Sequence, residues 1–138
     1  INATAKDKSK YKGTLDQRRN VQLTNKETKE LNNAKFAFIY KKVKNDYNTL
    51  IGSRSDDFDK LSNEMKTTLL SMGWNMGENF ISEGKNYDGK GSNRKYYNSL
   101  ATGHVTGDFK RFSKVLQEKD WSHVTRRNHE GKYLEESL

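Results

Sequence analysis

Residues 69–80, LLSMGWNMGENF, place side chains that could do chemistry around one bulky aromatic residue. Trp74 stands next to the amide of Asn75, and two carboxylates follow at Glu78 and Glu83. A pair of carboxyl groups can act as general acid and general base when both face one substrate. We favour the plainer interpretation, solvated carboxylates at a helix end and in a loop, because exposure is the commonest fate of glutamate.

Other kinds of catalytic or cofactor chemistry have less support in the sequence. The chain has no cysteine, which excludes disulfides, thiolate nucleophiles and cysteine-based zinc sites. Its three histidines are scattered, and His123 and His129 point to different faces of a helix, so they do not predict a shared metal. The stretch GKNYDGKGSNRK lacks the spacing of a phosphate-binding loop. We therefore expect neither a metal nor a cofactor.

The charge balance indicates anionic partners. There are 26 Lys and Arg residues against 18 Asp and Glu residues, a formal net charge of +8. Such a surface should attract polyanions such as nucleic acid, anionic lipid or cell-wall polymer. Two basic clusters near aromatic residues, DQRRN at 16–20 and KKVKND at 41–46, have a composition that can bind phosphates and stack bases. A solvated arm and a solvated helix face are the alternative interpretation, which we prefer at this stage.

The first helix that the sequence predicts begins after Thr24. The tetrad TNKE is typical of a capping box, in which the Thr24 hydroxyl accepts from the backbone N–H of Glu27 and the Glu27 carboxylate reaches back. Apolar residues then recur at helical spacing and predict a helix over about 25–49 with one buried stripe. The stripe consists of Phe36, Ile39, Tyr40, Val43, Tyr47 and Leu50.

Further helices are predicted downstream. The segment GSRSDD suits helix entry, and a Met and Leu stripe behind it indicates core packing. Residues 79–93, rich in glycine and charge, predict a long loop. A short helix around Tyr96 should end near Gly103, Thr106 should cap another helix, and a last helix should run from about 122 to 135.

Length and composition favour one small domain. The 138 residues are 31% apolar, but six Phe, seven Tyr and two Trp supply large units for burial. We predict a mainly α fold with a single core over 24–138 and a basic irregular arm over 1–23. No apolar run is long enough to cross a membrane, and the first residues contain no signal-peptide core. The start at Ile1 suggests a processed chain or an excised fragment.

Three stretches, in this order, resemble the phage-type lysozymes, the muramidase family of phage endolysins and tail-associated lysozymes. They are LLSMGWNMGE at 69–78, RKYYNSLATG at 94–103 and VTRRNHEGKYL at 124–134. The resemblance covers about residues 24–134, and the order of the motifs carries it. It implies an α+β lysozyme-like fold whose small β lobe is missing or reduced here, with residues 1–23 as a remnant of the N-terminal lobe.

The resemblance also implies substrate-binding residues. A helix of the family ends in a Phe/Trp-Asn/Gln-x-Gly motif that lines the sugar-binding cleft, and the motif matches this chain from Trp74 to Gly77. Trp74 would pack inward and Asn75 would face the glycan, with Glu78 beside them. The glycines would let helix backbones or substrate come close.

A structural role is implied for the last motif. Arg126, Arg127 and Glu130 match an R-R-x-x-E helix of the family, with Tyr133 in a leucine position. At spacings of three and four residues on a helix, an ion pair between these residues is sterically natural.

The family's catalytic glutamate has no counterpart, because no glutamate precedes Glu27. Glycoside hydrolysis usually needs two carboxyl groups on opposite sides of the bond. The chain could be a cleavage product whose catalytic segment lies elsewhere, or a lysozyme-like domain that kept a structural or wall-binding use. The resemblance implies a phage virion or tail protein, with virion proteins as partners, that meets peptidoglycan in the bacterial periplasm or cell wall. A basic nucleic-acid-binding module is the alternative from another class.

Overall fold

The computed structural model describes residues 24–86 and 92–138, with the backbone alone at 92–94. The chain divides into two compact units, Ile1–Lys35 and Phe36–Leu138. The predicted arm over 1–23 lies outside the described residues, so the predicted division at residue 24 stays a prediction.

Helix α1, Asn25–Asp46, begins at the predicted capping box. The backbone N–H of Thr24 donates to Glu27 Oε1 at 2.9 Å, and the backbone N–H of Glu27 donates to Thr24 Oγ1 at 3.0 Å. These reciprocal bonds confirm the capping box and satisfy donors that the first turn leaves without helical partners. The helix continues into a π-helical turn, Tyr47–Ile51, which ends at Gly52.

Helix α2, Asn63–Met76, begins later than the sequence predicted. Its N-cap is Ser62, whose Oγ accepts from the backbone N–H of Met65 at 3.1 Å. In the GSRSDD segment the carboxylate of Asp57 accepts from the backbone N–H groups of Ser53 and Arg54, both at 2.8 Å. The aspartate therefore stabilises a turn, and a serine further along starts the helix.

The rest of the described chain is helical between short connections. The bounds are α3 Phe80–Asn86, α4 Ser92–Thr106, α5 Lys110–Leu116 and α6 Val124–Glu136. The last of these confirms the predicted C-terminal helix. The prediction of one long loop over 79–93 is wrong at 80–86, because Phe80 and Ile81 are fully buried and their burial holds a helix there. Residues 87–91 lie outside the described residues.

The end of α4 also differs from the prediction. The helix passes through Gly103 and ends before Gly107, which has a φ of 75°. Thr106 belongs to the last turn of α4 and does not cap the following helix. The Asp108 carboxylate instead accepts from the backbone N–H of Lys110 at 2.9 Å.

One hydrophobic core lies within the second unit. It contains the buried faces of all its helices, the π-helical turn and Phe58. Most of the predicted α1 stripe belongs to this core or packs against it. Phe36 is the exception, because it is 47% exposed and lies against Tyr40 with 6.1 Å between the ring centroids. The described residues contain no strand, so the mainly α class is confirmed. Among those residues, no helix combines the length and the apolar character that crossing a membrane requires.

Candidate functional site

A groove of about 300 Å³ runs between α2 and α6. Its described lining residues are Thr67, Thr68, Ser71, Arg126, His129, Glu130 and Tyr133. The members from each helix recur three or four positions apart, so each set forms one face of its helix. Most of the lining side chains carry hydrogen-bonding groups, which suits a polar ligand.

A buried ion pair lies beside the groove. The guanidinium of Arg127 donates from Nε and Nη2 to the two oxygens of Glu130, and both side chains are almost completely buried. The hydroxyl of Ser71 on α2 also contacts the Glu130 carboxylate. Glu130 thereby links α6 to α2, and the ion pair that the sequence spacing allows is present.

Helix α6 is held in place by its close approach to α5. A Cβ added at Gly131 would lie 2.6 Å from the backbone oxygen of Ser113, so only glycine fits without displacement. Because Gly131 follows Glu130 directly, the same close packing positions the carboxylate that Ser71 contacts. The R-R-x-x-E-G segment therefore depends on its glycine as well as on its charges.

The rim of the groove carries cationic and aromatic side chains. Arg126 has its Nε 3.7 Å from Glu130 Oε2, and its side chain is half exposed. His129 is exposed, and Tyr133 is 45% exposed. Both can reach a ligand while Arg127 stays buried beneath them.

Asn75 lies one helical turn beyond Ser71 on α2. Its Nδ2 donates to the backbone oxygen of Ser71 at 2.8 Å, and the side chain is exposed. Through Ser71, Asn75 of the predicted substrate-binding residues therefore adjoins Glu130 of the predicted structural residues. We did not select this serine from the sequence. Its position four residues before Asn75, on the same helix face, is the signal that could have identified it as a groove residue.

The predicted inward packing of Trp74 is wrong. Its side chain is 36% exposed, whereas Met72 and Gly73 are buried. A helix turns by about 100° per residue, so a position two residues after Met72 faces away from the core. The tryptophan that is buried is Trp121, whose Nε1 donates to the backbone oxygen of Val115 at 2.9 Å.

The two glycines around Trp74 are needed for different physical reasons. A Cβ at Gly73 would lie 2.8 Å from Val43 Cγ2 and 2.9 Å from Ile39 Cγ2, so Gly73 permits close packing on α1. Gly77 has nothing within 4 Å, but its φ of 105° ends α2 in a conformation that favours glycine. Glu78 follows this turn, half-buried, and is not among the described lining residues of the groove.

The groove has the groups to bind a ligand but lacks a free pair of carboxyl groups. Glu130 is the one acidic residue among its described lining residues, and both of its oxygens already accept hydrogen bonds. Within the described residues, no cluster of three or more metal-ligating side chains exists.

A second polar cluster joins α4 to the π-helical turn. The hydroxyl of Tyr47 lies 2.8 Å from His104 Nδ1, and His104 Nε2 lies 3.7 Å from Asp57 Oδ2. Burial raises the pKa of Tyr47, so its hydroxyl keeps the proton. The tautomer of His104 sets the direction of the hydrogen bond between this hydroxyl and Nδ1. The backbone N–H groups of Arg54 and Ser53, with His104 nearby, lower the pKa of Asp57. The cluster therefore stabilises the turn at residues 52–57.

Comparison with known proteins adds no relative. No family model matches the sequence, and neither a curated protein nor a solved structure matches the chain. The interpretation of the groove therefore depends on its own geometry and on the motif resemblance.

Proposed function

We propose that this chain is a lysozyme-like protein that binds the glycan strands of bacterial peptidoglycan in the groove between α2 and α6. The observation that supports it best is the position of Ser71. Its hydroxyl contacts Glu130 of the R-R-x-x-E segment, and its backbone oxygen accepts from Asn75 of the W-N-x-G segment. The W-N-x-G segment thus lies next to a residue of the groove, although none of residues 74–77 is among its described lining residues.

The chemistry of the groove fits a glycan. Sugar hydroxyl and N-acetyl groups need donors and acceptors in fixed positions, which the amide of Asn75 and the side chains of Ser71 and His129 can supply. The exposed ring of Tyr133 can pack against an apolar sugar face while its hydroxyl stays in water. Arg126 on the rim can pair with the carboxylates of muramic acid or of a stem peptide.

Binding, rather than cleavage, is what these residues support. A retaining or inverting glycosidase needs one carboxylic acid to protonate the leaving oxygen and a second carboxylate across the bond. The oxygens of Glu130 are occupied by Arg127 and Ser71, so Glu130 is not free to donate a proton. Cleavage would need an acid from outside this groove.

The biological setting that we propose is a phage virion or tail that meets the cell wall in the bacterial periplasm or at its surface, together with other virion proteins. The motif resemblance alone supports this part of the proposal. The net charge of +8 suits an anionic wall.

Co-sedimentation with purified peptidoglycan sacculi tests the proposed function. We expect the chain to pellet with sacculi and to release no muropeptides detectable by mass spectrometry. Asn75→Ala should weaken binding about two- to tenfold, because a lost hydrogen bond is worth about 0.5–1.5 kcal/mol. Tyr133→Ala should weaken it at least as much.

Asn98→Ala is the matched control, since Asn98 is also an exposed asparagine within a helix. It should leave binding unchanged. Equal binding by Asn75→Ala, Tyr133→Ala and the unmodified chain would remove the groove assignment. Release of fragments with muramic-acid reducing ends would show that the chain cuts.

A further inference from the structure

A second and larger cleft of about 990 Å³ lies along α1, the π-helical turn and the loop that follows. Phe38, Lys41, Asn45 and Asn48 line it from the helical side, and Arg54 and Ser55 line it from the loop. These four helical residues are three or four positions apart and so share one face, which Tyr40, Lys42, Lys44 and Thr49 flank. Lys41 and Asn45 on this face belong to the basic segment KKVKND at 41–46, whose Val43 and Asp46 are buried.

The loop wall of this cleft is held by side-chain bonds to the backbone. Asn48 donates from Nδ2 to the backbone oxygen of Ser55 at 2.7 Å and accepts at Oδ1 from the backbone N–H of Phe58 at 2.8 Å. The carboxylate of Asp57 accepts from the backbone N–H of Arg54 at 2.8 Å. Because the loop is already ordered, a ligand does not bear the entropy of ordering it.

Four cationic side chains are among the described residues that line the cleft, and two of them are in ion pairs with nearby aspartates. Lys42 is paired with Asp46 at 2.7 Å, and Lys44 is paired with Asp59 at 2.9 Å. Lys41 and Arg54 also line the cleft and are exposed. Neither forms an ion pair with an acidic side chain in the described part of the chain, although the Arg54 guanidinium is near enough to Asp57 to interact with its charge. The cleft therefore presents two positive charges to a ligand.

An exposed aromatic ring lies next to these charges. Phe38 is 59% exposed, one helical turn before Lys41. Tyr40, also in the lining, is held by an edge-on contact with Phe58 at 5.7 Å between ring centroids. A free aromatic face beside cations is the arrangement on which proteins stack the bases of single strands.

From this arrangement we infer that the cleft is a binding site for single-stranded nucleic acid. Lys41 and Arg54 contact backbone phosphates, Phe38 stacks on a base, and the amide of Asn45 bonds to a base edge or a sugar. A duplex is a poorer fit, because its paired bases are stacked inside the helix and cannot reach Phe38. This activity goes beyond glycan binding and uses a different set of residues from the groove between α2 and α6.

Fluorescence anisotropy with a labelled oligothymidylate tests this inference on the full chain. The double variant Lys41→Gln with Arg54→Gln should weaken binding about tenfold or more at low salt. It should also flatten the slope of log K against log salt concentration by about 1.4, since each phosphate contact on a single strand contributes about 0.7. Phe38→Leu should weaken binding about tenfold, and Phe38→Trp should restore it.

A second double variant, Lys110→Gln with Arg111→Gln, is the matched control, because it removes the same charge from exposed residues of α5. It should change affinity less than threefold. Equal losses from the two double variants would overturn the site, as would a wild-type chain that does not bind the oligonucleotide at low salt. Unchanged affinity in Phe38→Leu, together with full displacement by inorganic polyphosphate, would overturn the strand assignment in favour of charge alone.

Discussion

At the scale of single residues, Glu130 carries a charge inside the protein. Its carboxylate is buried together with the guanidinium of Arg127, and burial of two charges is tolerated only when each satisfies the other. The additional contact from Ser71 gives the carboxylate a third donor. Removal of Glu130 therefore leaves Arg127 charged and without its counter-charge inside the protein, whereas removal of Arg127 leaves Glu130 with Arg126 at 3.7 Å.

Glu130→Gln should lower the free energy of unfolding by about 3–5 kcal/mol, because Arg127 would lose its buried counter-charge. Urea unfolding followed by circular dichroism measures the change. Replacement of both residues, as Arg127→Met with Glu130→Leu, should recover part of the loss, since a well-packed apolar pair carries no desolvation cost.

Asp56→Asn provides the comparison, because it removes the carboxylate of an exposed ion pair with Lys60. Its cost should stay below about 1 kcal/mol. A loss in Glu130→Gln as small as that of Asp56→Asn would contradict the buried charge pair.

At the scale of elements, the position of α2 against α1 depends on their close packing at Gly73. A Cβ at Gly73 would collide with the side chains of both Val43 and Ile39, whereas one at Gly77 would collide with nothing. The two glycines flank the W-N pair, so the same short segment is constrained by packing at one end and by backbone conformation at the other.

Gly73→Ala should destabilise the protein by about 1–3 kcal/mol through overpacking. Thermal and urea unfolding measure this loss. The additional change Val43→Ala should make Gly73→Ala less costly, because it removes one of the side chains that the new methyl group meets.

Gly77→Ala tests the second cause of destabilisation, backbone strain, at a position where an added Cβ meets no neighbouring atom. It should also destabilise, by roughly 1 kcal/mol, but Val43→Ala should not alleviate that loss, since the strain lies in the positive φ. Additive effects of Gly73→Ala and Val43→Ala would contradict the close contact.

At the scale of the whole molecule, titration limits the pH range in which the fold is most stable. The pKa of Asp57 is lowered by the backbone N–H groups of Arg54 and Ser53, and the pKa of Glu135 is lowered by Lys114 and Gln117. Burial raises the pKa of Tyr47 and of Tyr96. Stability should therefore decrease at both acid and alkaline pH.

The acid side follows from the lowered carboxylate pKa values. Groups whose folded pKa lies below the unfolded value of about 4 contribute stability above that value and lose it as the pH falls through the folded pKa. We expect the urea midpoint to be level near neutral pH and to decrease below about pH 4. Asp57→Asn should reduce this decrease, and parallel curves for the variant and the unmodified chain would contradict the role of Asp57.

The alkaline side follows from the tyrosines. A raised folded pKa means that their stabilising contribution is complete below the unfolded value of about 10 and is lost as the pH rises above it. In Tyr47→Phe the decrease of the urea midpoint above about pH 10 should be smaller than in the unmodified chain. Equal decreases in the two proteins would contradict the role of Tyr47.

The sequence by itself determined the local features of this protein. Hydrophobic periodicity and the capping box at Thr24 and Glu27 predicted the first and last helices and the mainly α class, because these depend on residues within a few positions of one another. Motif spacing also indicated the pair that Glu130 forms, since its partner is three residues away on the same helix.

Only the tertiary structure decided which surfaces are available for function. Which tryptophan is buried depends on tertiary packing: Trp74 lies on an outward face of α2, whereas Trp121 lies in the connection between α5 and α6 and packs into the core. The contact of Ser71 with Glu130 joins residues 59 positions apart, and the cleft around Phe38 requires a loop folded back onto its own helix. Such contacts depend on how helices pack in three dimensions, for which the order of residues along one helix carries no direct signal.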